Sequence, residues 1–244
     1  MQITGRAKFF AATVMRYDGE HKERTRVRLL TEAAIMLREE GPHGLSVATL
    51  MKRQGLTHGG FYAHFESKDD LIEHAIDAMF ERTCERFRIK TKGLTAEAAL
   101  TNYITYYLSP SHYNRPGQGC PIPATGADVG RLEPEARKRF EAGVNALAGL
   151  IAAEFERLHY PVGEAMSQAL TLLADMSGAV VMARGVKSAA LAKQICAGVE
   201  TNIFARLGFA LQNESADDKA AVTTDAPVKP TGNRVTRVQA GLDS

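Results

Sequence analysis

Cysteine is scarce in this chain: three residues among 244, at positions 84, 120 and 196. Widely spaced and odd in number, they form neither a disulfide framework nor a metal-ligand spacing, and they suit a reducing, cytoplasmic compartment. No metal or other cofactor is expected. An excess of one charge is also missing. Thirty Lys and Arg against 28 Asp and Glu leave a net of +2. The chain as a whole is therefore no polycation, and any affinity for nucleic acid has to come from local arrangement. No uninterrupted apolar run approaches the roughly 18 residues of a membrane span, so no membrane partner is expected. The opening Arg6–Ala12 stretch has too short an apolar run for a signal peptide, Arg16 interrupts it, and no small-residue cleavage pattern follows. Strand-like alternation of useful length is absent too, which leaves helices. What remains is ordinary for a globular protein, 45% hydrophobic and 24% charged, and long enough to bury one large or two small cores.

The helical signals begin near Lys22. Val27, Leu30, Ala34 and Leu37 form one stripe, with Lys22, Arg24, Arg26 and Arg28 clustered at its start. Gly41 ends that helix and Pro42 bars its continuation. Ser46 caps a second helix with Val47, Leu50 and Met51 as its apolar side, and Gln54-Gly55-Leu56 turns into a third. Thr57 is the expected cap of that third, two-turn helix, with Leu56 and Phe61 as a hydrophobic staple. Its aromatics Phe61, Tyr62 and Phe65 cannot all be buried by one face of so short an element. Phe61 and Phe65 read as core residues. Ser67 caps the next helix and Asp70, three residues on, completes a capping box. Helix, three-residue turn with glycine, helix is the helix-turn-helix arrangement.

Further helices are expected over Thr95–Leu108, from Cys120, over Glu133–Leu158, Gly163–Arg184 and Ser188–Leu211, with Ser109–Gly119 as a loop. Residues 1–21 read as an unstructured leader, with Met15 as a second candidate start. Residues 213–244, poor in apolar periodicity, read as a disordered tail. The last two helices carry broad apolar faces with small residues: Met166, Leu170, Leu173, Ala174, Ser177, Gly178 and Val181 on one, and Leu191, Ile195, Val199, Ile203, Leu207 and Leu211 on the other. Such faces pack on their own domain or need a partner.

The run Phe61-Tyr62-Ala63-His64-Phe65 followed by Ser67-Lys68-Asp69-Asp70-Leu71 resembles the DNA-recognition region of the TetR/AcrR family of transcriptional regulators. The likeness extends over about Lys22 to Arg88. It implies an all-α, TetR-like fold of about nine helices. Residues 22–88 would be the helix-turn-helix domain and 89–212 a larger effector-binding and dimerisation domain. It also implies a homodimer through the last two helices, double-stranded operator DNA as partner, and release by a small-molecule effector. Thr57, His58, Gly59, Gly60, Tyr62, His64 and Lys68 then become the candidate DNA-binding residues. His58 is the long polar side chain at the tip and the candidate base reader. Tyr62 and Lys68 would hold phosphates, the latter in a helix first turn that also attracts anions. His64 is either structural or a backbone contact. Val47 and Ala48 stand where relatives often have polar residues, which shifts base reading to the third helix.

Cys120 follows a Gly- and Pro-rich loop and can occupy a helix N-cap, where a thiolate is favoured. Gly119-Cys120 resembles a subset of family members that sense electrophiles or oxidants. The alternative role is a small buried hydrophobe. Tyr103, Tyr107, Phe140 and Val144 are apolar or aromatic candidates for an effector pocket or for simple core packing. Two competing functions remain: a Cys–His enzyme using His112 and Cys120, and a DNA-binding protein without ligand control.

Overall fold

The computed structural model describes residues 4–210, with side chains from Glu20 onward. Among the described residues it is all-helical: α1 (Thr4–Gly44), α2 (Val47–Arg53), a 310 helix (His58–Ala63), α3 (Lys68–Thr91), α4 (Ala96–Leu108), α5 (Pro110–Tyr113), a 310 turn (Pro116–Gln118), α6 (Pro121–Val129), α7 (Pro134–Arg157), α8 (Val162–Gly185) and α9 (Ala189–Leu207). Three expectations need correction. The leader is helical from Thr4, continuous with the first helix, because no proline intervenes before Pro42. The loop 109–119 holds a one-turn helix and a 310 turn, each started by a proline in its first turn, where a missing N–H costs nothing. The third helix is 310 rather than α, and Thr57 gives it no side-chain cap. The tail 213–244 lies outside the described residues.

Punctuation elsewhere follows the sequence. α1 breaks at Gly41, whose φ of 71° and ψ of 179° suit glycine and no other residue as well. Ser46, Ser67, Thr95 and Ser188 each accept a bond from the backbone N–H three residues on. At Ser67 the box closes differently from expectation: the Asp70 carboxylate accepts from the N–H of Glu66, at 2.9 Å, rather than from Ser67.

Two hydrophobic cores result. The first gathers Leu29, Met36, Leu37, Leu50, Phe61, Phe65, Ile76 and Phe80. The second gathers Phe87, Tyr103, Tyr107, Cys120, Leu147, Phe155, Leu172, Met176 and Phe204. α3 serves both, Phe80 in the first and Cys84 in the second, so the change of core falls inside a continuous helix and ahead of residue 88.

α3 and α7 approach closely at Gly143. A Cβ there would lie 2.1 Å from Cδ2 of Phe80, a buried ring held edge-on by Phe140 at 5.3 Å. Gly143→Ala sets a helix-propensity gain of about 1 kcal/mol against overpacking of about 1–3 kcal/mol. We expect net destabilisation, read as a lower urea midpoint. A higher midpoint would show that the two helices can part without loss.

α8 contains an 18-residue window of mean hydropathy 1.3 and is long enough to cross a membrane. The sequence has no such unbroken run because Ser167, Asp175 and Ser177 punctuate it. Leu172, Leu173, Met176 and Val180 are buried in the second core, whereas Leu170, Val181 and Met182 are exposed, and 39% of the window is buried in all.

Candidate nucleic-acid interface

The 310 segment is anchored from below. Phe61 and Phe65 are 1% and 2% exposed, with ring centroids 5.6 Å apart, and they pack against Leu50, Met51 and Leu29. Arg26 of α1 lies over the Phe65 ring at 4.4 Å and donates to the His64 carbonyl. Arg28 donates to the Gln54 side chain at 3.0 Å. Arg53 of α2 pairs with Glu32 and Glu40 of α1. Two of the four basic residues clustered at the start of the first expected helix, Arg26 and Arg28, therefore brace the helix-turn-helix, while Lys22 and Arg24 are exposed.

Above those anchors the tip is bare. Thr57, His58 and Gly59 are exposed, Gly60 is half-buried, and a Cβ at Gly59 would touch nothing. Tyr62 is 67% exposed, packed edge-on against Phe61 at 5.4 Å, with the His58 ring 6.5 Å away. Lys68 opens α3 and is half-buried. His64 differs from the rest. It is half-buried, its Nδ1 has no partner, and burial, aided by Lys22 and Arg26, lowers its pKa. Nδ1 is turned inward, and that burial favours the neutral ring. Val47 packs on the first core, and Ala48 is exposed.

The four pocket candidates are not brought together. Tyr103 and Tyr107 lie in the second core beside Cys120, whereas Phe140 and Val144 pack on the first. A groove of about 480 Å³ between α3 and α7 is lined instead by Asp77, Glu81, Cys84, Arg88, Arg139 and Gly143.

Cys120 does stand at the N-cap of α6, but it is 3% exposed, and burial raises its thiol pKa. The expected thiolate is reversed there because desolvation outweighs the helix end. His112 does not activate it. Its Nε2 accepts the Cys120 backbone N–H at 2.9 Å and its Nδ1 lies 2.7 Å from the Tyr107 carbonyl. Nδ1 therefore carries the proton, and the ring is a neutral strut rather than a general base. The pairing required of a Cys–His nucleophile is not made.

Sequence reasoning missed three arginines. Arg38, Arg86 and Arg184 lie far apart in the sequence and belong to no motif there. In the fold they converge on the loop after α5, and only tertiary structure could reveal that. Arg38 is 6% exposed.

An exposed recognition tip on a buried aromatic base, within an all-helical chain, defines a helix-turn-helix DNA-binding regulator. Residues 29–75 match the family model described as bacterial regulatory proteins, tetR family. Uncharacterized HTH-type transcriptional regulators from two strains of Mycobacterium tuberculosis are each 24% identical over 165 residues, covering 65% of this chain and 84% of the relative. A TetR regulator from Chloroflexus aurantiacus superposes with a TM-score of 0.65 at 28% identity, over 75% of this chain and 96% of that one. The reduced form of Escherichia coli NemR shares the fold, with a TM-score of 0.65 at 18% identity over 79% of this chain and 100% of that one. Residues 29–75 are therefore a TetR-type DNA-binding domain, and the chain as a whole is similar to TetR-family transcriptional regulators. Members bind operator DNA and act as dimers.

Proposed function

We propose that this regulator is a repressor, released from its operator when a small-molecule effector binds the larger helical domain. The observation that carries the DNA-reading half is the tip itself: Tyr62 exposed directly over the buried Phe61 and Phe65. His58 reads a base edge in the major groove, where each base pair presents a distinct pattern. Thr57, Gly59 and Gly60 permit close approach, and Tyr62 and Lys68 grip phosphates. Two tips on a two-fold dimer would occupy half-sites about one helical turn, or a multiple, apart. Leu170, Val181 and Met182 of α8, and Leu191 of α9, are 42–58% exposed. With exposed Ala174, Gly178, Ala197 and Gly198 beside them, they support a dimer built on these two helices. Repression follows because a dimer seated on promoter DNA excludes polymerase. Release is a population shift set by the effector's differential affinity for two conformations.

The test is a fluorescence-anisotropy titration against DNA upstream of the chain's own gene. Lys68→Ala should weaken binding to every sequence and lower the salt slope by about one unit. His58→Ala should instead lose about tenfold or more on the operator while sparing random DNA. Equal losses on both DNAs would refute base reading by His58. Compounds that release the operator separate ligand control from constitutive binding.

A further inference from the structure

Three guanidiniums from three helices meet at one loop, where the exposed Glu39 carboxylate lies against Gly117 but forms no ion pair with any of them. Arg38 of α1 donates to the Gly117 carbonyl at 3.2 Å, and Arg86 of α3 donates to the Gln118 carbonyl at 2.7 Å. Arg184 of α8 donates through Nε to the Tyr113 carbonyl at 3.1 Å. Among the described residues none of the three forms an ion pair, and a Cβ at Gly119 would lie 2.9 Å from Nη2 of Arg184. Several polar atoms here are buried and lack a partner: Nη1 and Nη2 of Arg184, Nε of Arg38, and the hydroxyl of Tyr103. Desolvation lowers Arg38 to about 10 and lowers Arg184 as well, with no carboxylate raising either. Uncompensated buried charge is costly, and buried donors without a partner are rare in native proteins.

We propose that this junction is the seat of an anionic group, a carboxylate, on the effector. The arrangement of the unpartnered donors favours that class. Nη1 and Nη2 of one guanidinium are the two ends of a fork that matches the two oxygens of a carboxylate, and both are free while Nε is occupied. Tyr103 adds a buried hydroxyl beside Cys120. The same three arginines hold the carbonyls of Tyr113, Gly117 and Gln118, so a carboxylate that draws on Arg184 moves a group that also tethers the loop. The loop packs on α1, which also carries the first core, so its loosening reaches the helix-turn-helix. This proposal rests on the reading of effector-controlled release, and it supplies the chemistry of the effector.

Acetate is the probe, acetamide its neutral isostere, and chloride the spherical control, each added to the full chain at matched ionic strength. Near-saturating acetate should raise the melting temperature by roughly 5 °C, with acetamide and chloride well below it. Arg184→Gln should abolish the acetate shift. Arg184→Lys, which keeps the charge and loses the fork, should abolish most of it, and it serves where the glutamine variant fails to fold. Equal shifts for acetate and chloride, or an unchanged shift in the lysine variant, overturn the site. Operator release is measured in parallel with a set of organic acids and their amides. Release by acids that Arg184→Lys abolishes supports both readings. Release that ignores Arg184 leaves effector control standing and removes the anion site. An Arg184-dependent acetate shift with no release by any compound keeps the site and removes the control.

Discussion

Phe61→Ala is expected to abolish operator binding and to cost the chain about 3–5 kcal/mol of stability. The six-residue 310 helix has little stability of its own, since 310 bonds are poorer in geometry than α bonds and short helices nucleate badly. Beyond its internal i→i+3 bonds its backbone is tied at the two ends, by Gly60 N–H to the Thr57 carbonyl at 3.0 Å and by the His64 and Phe65 N–H groups to the Phe61 carbonyl at 2.9 and 3.1 Å. The rest of its position comes from Phe61 and Phe65 sunk into the first core. Removing a ring that is 1% exposed leaves a cavity among Leu50, Met51 and Phe65 and frees the tip. Tyr62→Ala is the control one residue away. That side chain is 67% exposed, so its loss should leave the unfolding midpoint nearly unchanged and weaken DNA binding alone. Urea unfolding and operator titration are read on both variants. A Phe61→Ala protein that still binds the operator at full affinity would mean that the segment holds its place without its anchor.

Much of this was legible in the sequence because it is local. Caps at Ser46, Ser67, Thr95 and Ser188 are single-residue signals satisfied three residues away. The division of the tip aromatics into Phe61 and Phe65 inside and Tyr62 outside follows from helical spacing. The expected α1 stripe holds only at Ala34 and Leu37: Leu30 is half-buried, Val27 is 53% exposed, and Leu29, Ala33 and Met36 fill the core instead. What was not legible is either a competition or a convergence. Thr57 has the right residue type for a cap, yet the 310 geometry gives its side chain no such bond. Cys120 has the right position for a thiolate, and burial reverses the effect. Phe140 looked like a partner of Tyr103, but α7 runs past both cores and turns that ring onto Phe80. Arg38, Arg86 and Arg184 lie on three different helices, and nothing in their neighbours announces that α1, α3 and α8 aim them at one loop.

Acidification should unfold this protein earlier than its carboxylates alone would require, through His112. That ring is 2% exposed, and its pKa is pushed from 6.5 down to about 4, first by burial and then by Arg184, Arg86 and Arg38; the Tyr107 carbonyl opposes the shift. Between pH 6.5 and 4 the unfolded chain therefore binds the proton that the folded chain refuses. Stability is fully present above the unfolded value and drains away as pH falls through that window, by about 3 kcal/mol at pH 4. Geometry gives the same sign. The Nε2 that accepts the Cys120 N–H at 2.9 Å would become a donor facing a donor, inside a cluster that is already cationic. His112→Gln keeps an acceptor and a donor at the site but does not titrate. Its urea midpoint at pH 7 should fall modestly. On going from pH 7 to pH 4 it should lose less than the unsubstituted chain, by that same margin. Carboxylate titration is common to both proteins and cancels in the comparison. Parallel pH profiles for the two would show that His112 is protonated without cost, and that the strut between α4 and the start of α6 holds no proton-sensitive stability.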